Sequence, residues 1–166
     1  MLVINFVKKI TEKYLKEGER INPSNAPKNL KNNRKGVFVT IKNSGKLRGC
    51  IGTINPSKDL ADTLISCTIS ACNDPRMKPI NKEEFPNLSY EVSLINPVER
   101  LEKNERTNPE KEGIVVKESG KVGVLLPGLN NVNSFEKQLK IAKRKAGIKP
   151  KENCKIYKFT TQKYHG

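Results

Sequence analysis

Apolar positions recur at helical spacing near the start of the chain. Leu2, Val3, Phe6, Val7, Ile10 and Tyr14 fall on one face, and Lys8, Lys9, Glu12, Lys13 and Lys16 on the other. This period predicts an amphipathic helix that ends at Gly18. Residues 19–35 lose the period, and Pro23, Pro27 and several Asn predict a long polar surface connection. The period then drops to two. Val37, Val39 and Ile41 share one face of a strand over residues 36–42. Asn43-Ser44-Gly45-Lys46 supplies a turn, and residues 47–54 return as the partner strand. Gly49 and Gly52 inside that strand predict a bulge, or a backbone or ligand packed close.

A second helix is predicted over residues 60–72, capped by Ser57 or Asp59 and stopped by Asn73-Asp74-Pro75-Arg76, because Pro75 disfavours helical geometry at Asp74. Asn81 and Glu84 have the spacing of a capping box for one short turn before Pro86. Residues 88–95 alternate as a strand, with Leu88, Tyr90, Val92 and Leu94 on one face and Ser89, Glu91 and Ser93 on the other. Residues 99–112 are charged and turn-rich. Residues 114–118 and 121–126 form a second hairpin, whose Glu-Ser-Gly-Lys turn shares the chemistry of the first. Asn133 with Glu136 is expected to cap a third helix, buried through Phe135, Leu139 and Ala142 and closed by Gly147. A last strand is placed near residues 155–161. This mixed order, with two hairpins, predicts an α+β fold with mostly antiparallel pairing and flanking helices.

Composition narrows the class. The chain has 166 residues, 35% hydrophobic, which fits one domain with a core of its own. No apolar run is long enough to span a membrane, and the charged first 16 residues lack the apolar centre of a signal peptide, so a cytoplasmic protein is expected. The formal charge of +15 suits nucleic acid or another anionic ligand. It also suits a Lys- and Asn-rich composition arising from codon bias. No aromatic cluster marks a stacking platform for single strands. Cys50, Cys67, Cys72 and Cys154 contain no CxxC pair, and His165 is the only histidine. No metal site is therefore expected, although Asp74 and Glu91 are donors suited to a hard cation. No G-x-x-x-x-G-K loop is present.

Two stretches can carry chemistry. Leu47-Arg48-Gly49-Cys50-Ile51-Gly52 places a cation, a thiol and two glycines together. Strand alternation puts Arg48 and Cys50 on one face, where a guanidinium favours thiolate and the glycines admit a substrate to backbone N–H groups. The alternative is a buried Cys beside glycines that shape a bulge. Asp74 and Arg76 form the second stretch, read either as a ligand-binding pair or as an ion pair at a helix stop. Glu91 and Ser93 share a strand face and either line a cleft or meet water.

These segments also resemble a known family. LRGCIGT at residues 47–53 is similar to the signature of the AMMECR-type domain, and the likeness continues through GVFVTI (36–41), ISACNDPR (69–76), LSYEVSLINP (88–97), GVLLPG (123–128) and KIYKFT (155–160). It covers nearly the whole chain, as a single domain over residues 1–166. The resemblance implies a larger and a smaller lobe, with the Arg-Gly-Cys segment in a cleft between them. It also implies association with Memo-like and radical-SAM proteins, as protein A of the AmmeMemoRadiSam system. Met77, where relatives carry an aromatic, and Gly128, where they carry Gln, depart from the family pattern. Three functions are compatible with this reading. One is an accessory or enzyme-like component acting on a small or modified substrate, with Arg48 and Arg76 holding an anionic group and Cys50 as carrier or nucleophile. The others are an RNA-binding module without catalysis and a protein-interaction adaptor. No cofactor is assigned.

Overall fold

The computed structural model describes residues 2–166. Its chain divides into two compact units, one running up to Leu94 and completed by Gln162–Gly166, the other comprising Ile95–Thr161.

In the first unit, α1 (Leu2–Glu17) buries Val3, Ile4, Phe6, Val7 and Ile10. The expected connection after it is not merely polar surface. Two short 3-10 turns, Pro23–Asn25 and Lys28–Leu30, bring Ile21, Ala26 and Leu30 into the core. The Asn22 side chain caps the first turn, so apolar anchors spaced too widely to show a period hold the segment down. β1 (Val37–Asn43) and β2 (Lys46–Thr53) form the expected hairpin, with Ser44 and Gly45 both at positive φ as a primed turn requires. α2 (Leu60–Cys72) is capped by the Asp59 carboxylate, which accepts from the Asp62 N–H. The capping box at Asn81 and Glu84 opens a 3-10 segment, Lys82–Asn87, that continues through Pro86 to β3 (Leu88–Ile95).

The second unit begins with β4 (Glu99–Arg100), then the hairpin β5 (Gly113–Glu118) and β6 (Lys121–Leu125), which turns through Ser119 and Gly120 at positive φ. α3 (Phe135–Ala146) is capped by Ser134 rather than Asn133. The helix starts one residue later than expected, so Ser134 holds the extended geometry and accepts from the Lys137 N–H. Its buried face uses Phe135 and Ala142 as expected, with Gln138 in place of the half-buried Leu139. Gln138 is fully buried, and both ends of its amide are hydrogen-bonded. It accepts from the Thr107 hydroxyl and donates to the Glu112 carbonyl, which ties the charged loop before β5 to the helix. The final strand of the sequence reading is two strands, β7 (Lys155–Phe159) and β8 (Thr161–His165).

Two four-stranded sheets result, in orders β2-β1-β3-β8 and β4-β7-β5-β6, and the α+β class with antiparallel pairing holds. β8 joins the first sheet through Tyr90 and Gly166, which exchange both main-chain hydrogen bonds at 2.6 and 3.0 Å, the mark of antiparallel pairing. The segment that carries His165 is therefore a sheet strand. The second unit is an insertion between the neighbouring strands β3 and β8, and Asn96 and Thr160 close its neck by main-chain and side-chain hydrogen bonds of 3.0 and 2.8 Å. In the first unit α2 packs on β1 and β2, and α1 packs on α2. Val37, Val39, Ile41, Leu64, Ile65 and Val92 are fully buried between these layers, each contributing roughly 1.5–3 kcal/mol relative to exposure.

Gly49 sets the distance between α2 and β2. A Cβ there would lie 1.9 Å from the Ala71 carbonyl oxygen and 2.9 Å from its carbon. Both are main-chain atoms of α2 and cannot swing aside. Gly49→Ala is expected to destabilise the protein by roughly 3 kcal/mol, read as a lower denaturant midpoint with an unchanged slope.

Candidate functional site

β2 is the edge strand of its sheet, so the backbone of alternate residues faces no neighbouring strand. At Cys50 this gap is closed by side chains from the turn after α2. The Asp74 carboxylate accepts the Cys50 N–H at 2.9 Å, and the Arg76 Nη2 donates to the Cys50 carbonyl at 3.0 Å. Together they stand in for a missing strand at one residue. Asp74 also accepts from the Arg76 main-chain N–H and from its Nε, at 3.1 and 2.9 Å.

The electrostatics follow from this arrangement. The Asp74 side chain is fully buried, while 60% of the Arg76 side chain is exposed. The Arg76 guanidinium, and after it the N–H groups of Cys50 and Arg76, hold the Asp74 carboxyl well below the usual carboxylate range, against the opposing effect of burial. Arg76 Nη1 has no protein partner among the described residues.

Register defines the faces. Thr40 of β1 stands opposite Cys50 on one side and Glu91 of β3 on the other. Residues directly opposite share a face, so Cys50, Thr40 and Glu91 form one row, and the Thr40 hydroxyl donates to the Cys50 sulfur at 3.2 Å. The next row is Gly52, Phe38 and Ser93. A Cβ at Gly52 would lie 2.4 Å from the Phe38 ring, so that glycine makes room for an aromatic side chain. Glu91 is approached by Lys42, Lys163 and His165 at 3.6–3.9 Å. Cys50, Gly52, Glu91 and Ser93 thus share the face opposite the buried Val39 and Ile41, with Ser93 itself buried.

Arg48 requires a correction. Ile41 pairs with Gly49, but Lys42 pairs with Leu47, so Arg48 is the extra residue of a β-bulge. Alternation, which would place it with Cys50, breaks at that point. Its guanidinium grips Glu84 in a bidentate pair at 2.7 and 2.8 Å and donates to the carbonyls of Lys78 and Pro79. Arg48 thereby fastens the edge strand to the segment after α2. Gly49 faces α2, opposite the buried Ile41.

The remaining thiols differ from Cys50. Burial pushes Cys67 up to about 11 and Cys72 up to about 12, values that keep both protonated and unreactive near neutrality. Burial also raises Cys154. Cys50 is half-buried. Among the described residues, no three His, Cys, Asp or Glu side chains are grouped as a metal ion requires, and no helix is long and apolar enough to cross a membrane.

Sequence reasoning missed Thr40 and the second role of Glu84. Thr40 was open to discovery, since burying Val39 and Ile41 turns it to the other face. Glu84 was identified as a capping residue, and its pairing with Arg48 has no local signature.

Residues 4–164 match the AMMECR1 family model. A Thermotoga maritima protein is 35% identical over 164 residues, covering 94% of this chain and 92% of its own. A Clostridium acetobutylicum protein is 38% identical over 155 residues, which amount to 33% of that longer chain. The crystal structure of the uncharacterised Pyrococcus horikoshii protein PH0010 superposes with a TM-score of 0.87 at 31% identity, covering 98% of this chain and 89% of that one.

The Arg48–Glu84 pair has a pH signature. Hydrogen bonding from Arg48, helped by Asn43 and the Asn81 N–H, lowers the Glu84 carboxyl from 4.5 to about 2. The unfolded carboxyl takes up its proton first on acidification. The pair's contribution is therefore complete above about 4.5 and lost as pH falls towards 2. Glu84→Gln is expected to cost about 1–3 kcal/mol at neutral pH, and its deficit relative to the parent should shrink across that acid window in urea titrations.

Proposed function

The chain belongs to the AMMECR1 family of uncharacterised proteins, and from that premise we propose that it handles a small or modified anionic substrate at Cys50. It does so as an accessory or enzyme-like component acting with Memo-like and radical-SAM proteins. The observation that supports this reading is the treatment of one thiol. The main chain of Cys50 is clamped at both its N–H and its carbonyl by Asp74 and Arg76, while its side chain stays half-buried. A residue held rigidly at the backbone presents its side chain with little positional freedom, as a reacting group requires.

The neighbouring groups fit this role. Arg76 has one nitrogen left for a carboxylate or phosphate oxygen of the substrate. The Thr40 hydroxyl, already donating to the sulfur, is placed to stabilise negative charge on it. Glu91 and Ser93, further along the same face, supply polar contacts. In a carrier step the sulfur bonds an electrophilic carbon of the substrate, that carbon's leaving group departs with the bonding pair, and the thiol proton passes to water. Arg48 supports this frame through Glu84 rather than touching substrate.

Iodoacetamide labelling of the native protein with peptide mapping is expected to mark Cys50 first and to leave Cys67 and Cys72 unmodified until denaturant is added. Cys50→Ala should fold normally and lose cellular function. If Cys50 reacts no faster than a model thiol and Cys50→Ala keeps full function, the thiol reading is wrong.

A further inference from the structure

The second unit carries its charge unevenly. Between residues 135 and 155 lie eight Lys or Arg and two Glu. α3 presents part of this charge beside an open groove of about 410 Å³. Leu139, Ile148 and Pro150 form an apolar floor, with Glu136 at one end and Lys140 and Arg144 along the rim. Lys143 also lines the groove and donates to the carbonyls of Pro150 and Glu152 at 3.0 and 2.6 Å, so pinning the turn after the helix. Lys140 and Arg144 have no side-chain hydrogen bond or ion pair among the described residues. Ile148 also belongs to the core of this unit, so the floor is continuous with a rigid interior.

We propose that this groove docks an acidic amphipathic segment of a partner protein, with apolar side chains on Leu139, Ile148 and Pro150 and carboxylates on Lys140 and Arg144. Charge complementarity selects an acidic occupant, since both rim cations lack partners. Length selects a short helix-sized segment. Glu136 to Arg144 spans about 12 Å of helix, which matches anchors at i, i+3 or i+4 and i+7. The apolar floor selects protein over nucleic acid or lipid headgroups, which would leave Leu139, Ile148 and Pro150 without apolar partners, and Glu136 is already paired with Arg106 at 3.7 Å. The floor also lacks the aromatic ring on which a base would stack. The proposal is independent of any chemistry at Cys50.

The test uses the full chain and a fluorescent 12-residue peptide with Leu at i, i+3, i+4 and i+7 and Glu elsewhere. A peptide of equal composition in permuted order serves as comparison. Polarisation titrations are expected to show the patterned peptide binding at least about tenfold tighter than the permuted one. The exposed double substitution K140E/R144E should weaken binding by about tenfold or more, with an unchanged circular dichroism spectrum. Leu139→Glu should do the same, and amide NMR shifts should cluster on α3 and residues 148–152. Equal binding of the two peptides, or binding indifferent to K140E/R144E, would overturn the proposal. So would a 12-nucleotide oligouridine or phosphatidylserine vesicles binding tighter than the patterned peptide through the same residues.

Discussion

A buried carboxylate organises the larger unit. Asp74 sits at the end of α2 with its side chain out of solvent, and it holds the edge strand by the N–H of Cys50 and its own neighbour by the guanidinium of Arg76. An ionised group in such a place is tolerated only when donors surround it. Here those donors come from the two segments that must be joined. The helix end and the strand edge are thus linked by one group, and the close contact of Gly49 with Ala71 follows a few residues away. Removing either the charge or the clearance would separate layers that the rest of the core assumes are together.

The division of labour between the two arginines rests on this link. Arg48 and Arg76 look equivalent as cations beside a thiol. The bulge sends one to Glu84, where it has become part of the scaffold, and leaves the other largely in solvent with a free nitrogen. A single extra residue in β2 therefore gives the two arginines different surroundings.

The sequence made most elements legible, because strong periods and turn residues coincide. Ser-Gly turns, the α2 cap (Ser57 or Asp59 by sequence, Asp59 in the structure) and the Asn81–Glu84 box are local devices and were readable locally. The glycines of β2 announced either a bulge or a close neighbour, and the structure has the Ala71 backbone against Gly49 and a bulge beside it at Arg48. What was hidden depends on distant partners. β8 is a polar edge strand, Thr-Gln-Lys-Tyr-His, identifiable only once Tyr90 and Gly166 are seen to pair. Gln138 looks like a surface residue until Thr107 and Glu112 satisfy it inside. Arg48 was misplaced because alternation assumes a regular strand, and no pattern in seven residues locates a bulge. For the candidate site, the sequence supplied Cys50, Asp74 and Arg76. The clamp on the Cys50 backbone became visible only with the fold.

The threading of one unit into the other has a consequence for how the protein is made. Because β8 pairs with β3 only after the whole intervening unit has been translated, the far edge of β3 waits unpaired on the ribosome. An open edge of Tyr, Val and Leu residues invites pairing with other chains. Rapid folding of the inserted unit, which draws its two ends together at Asn96 and Thr160, shortens that exposure. Synthesis conditions that delay the insert should therefore cost solubility before they cost structure.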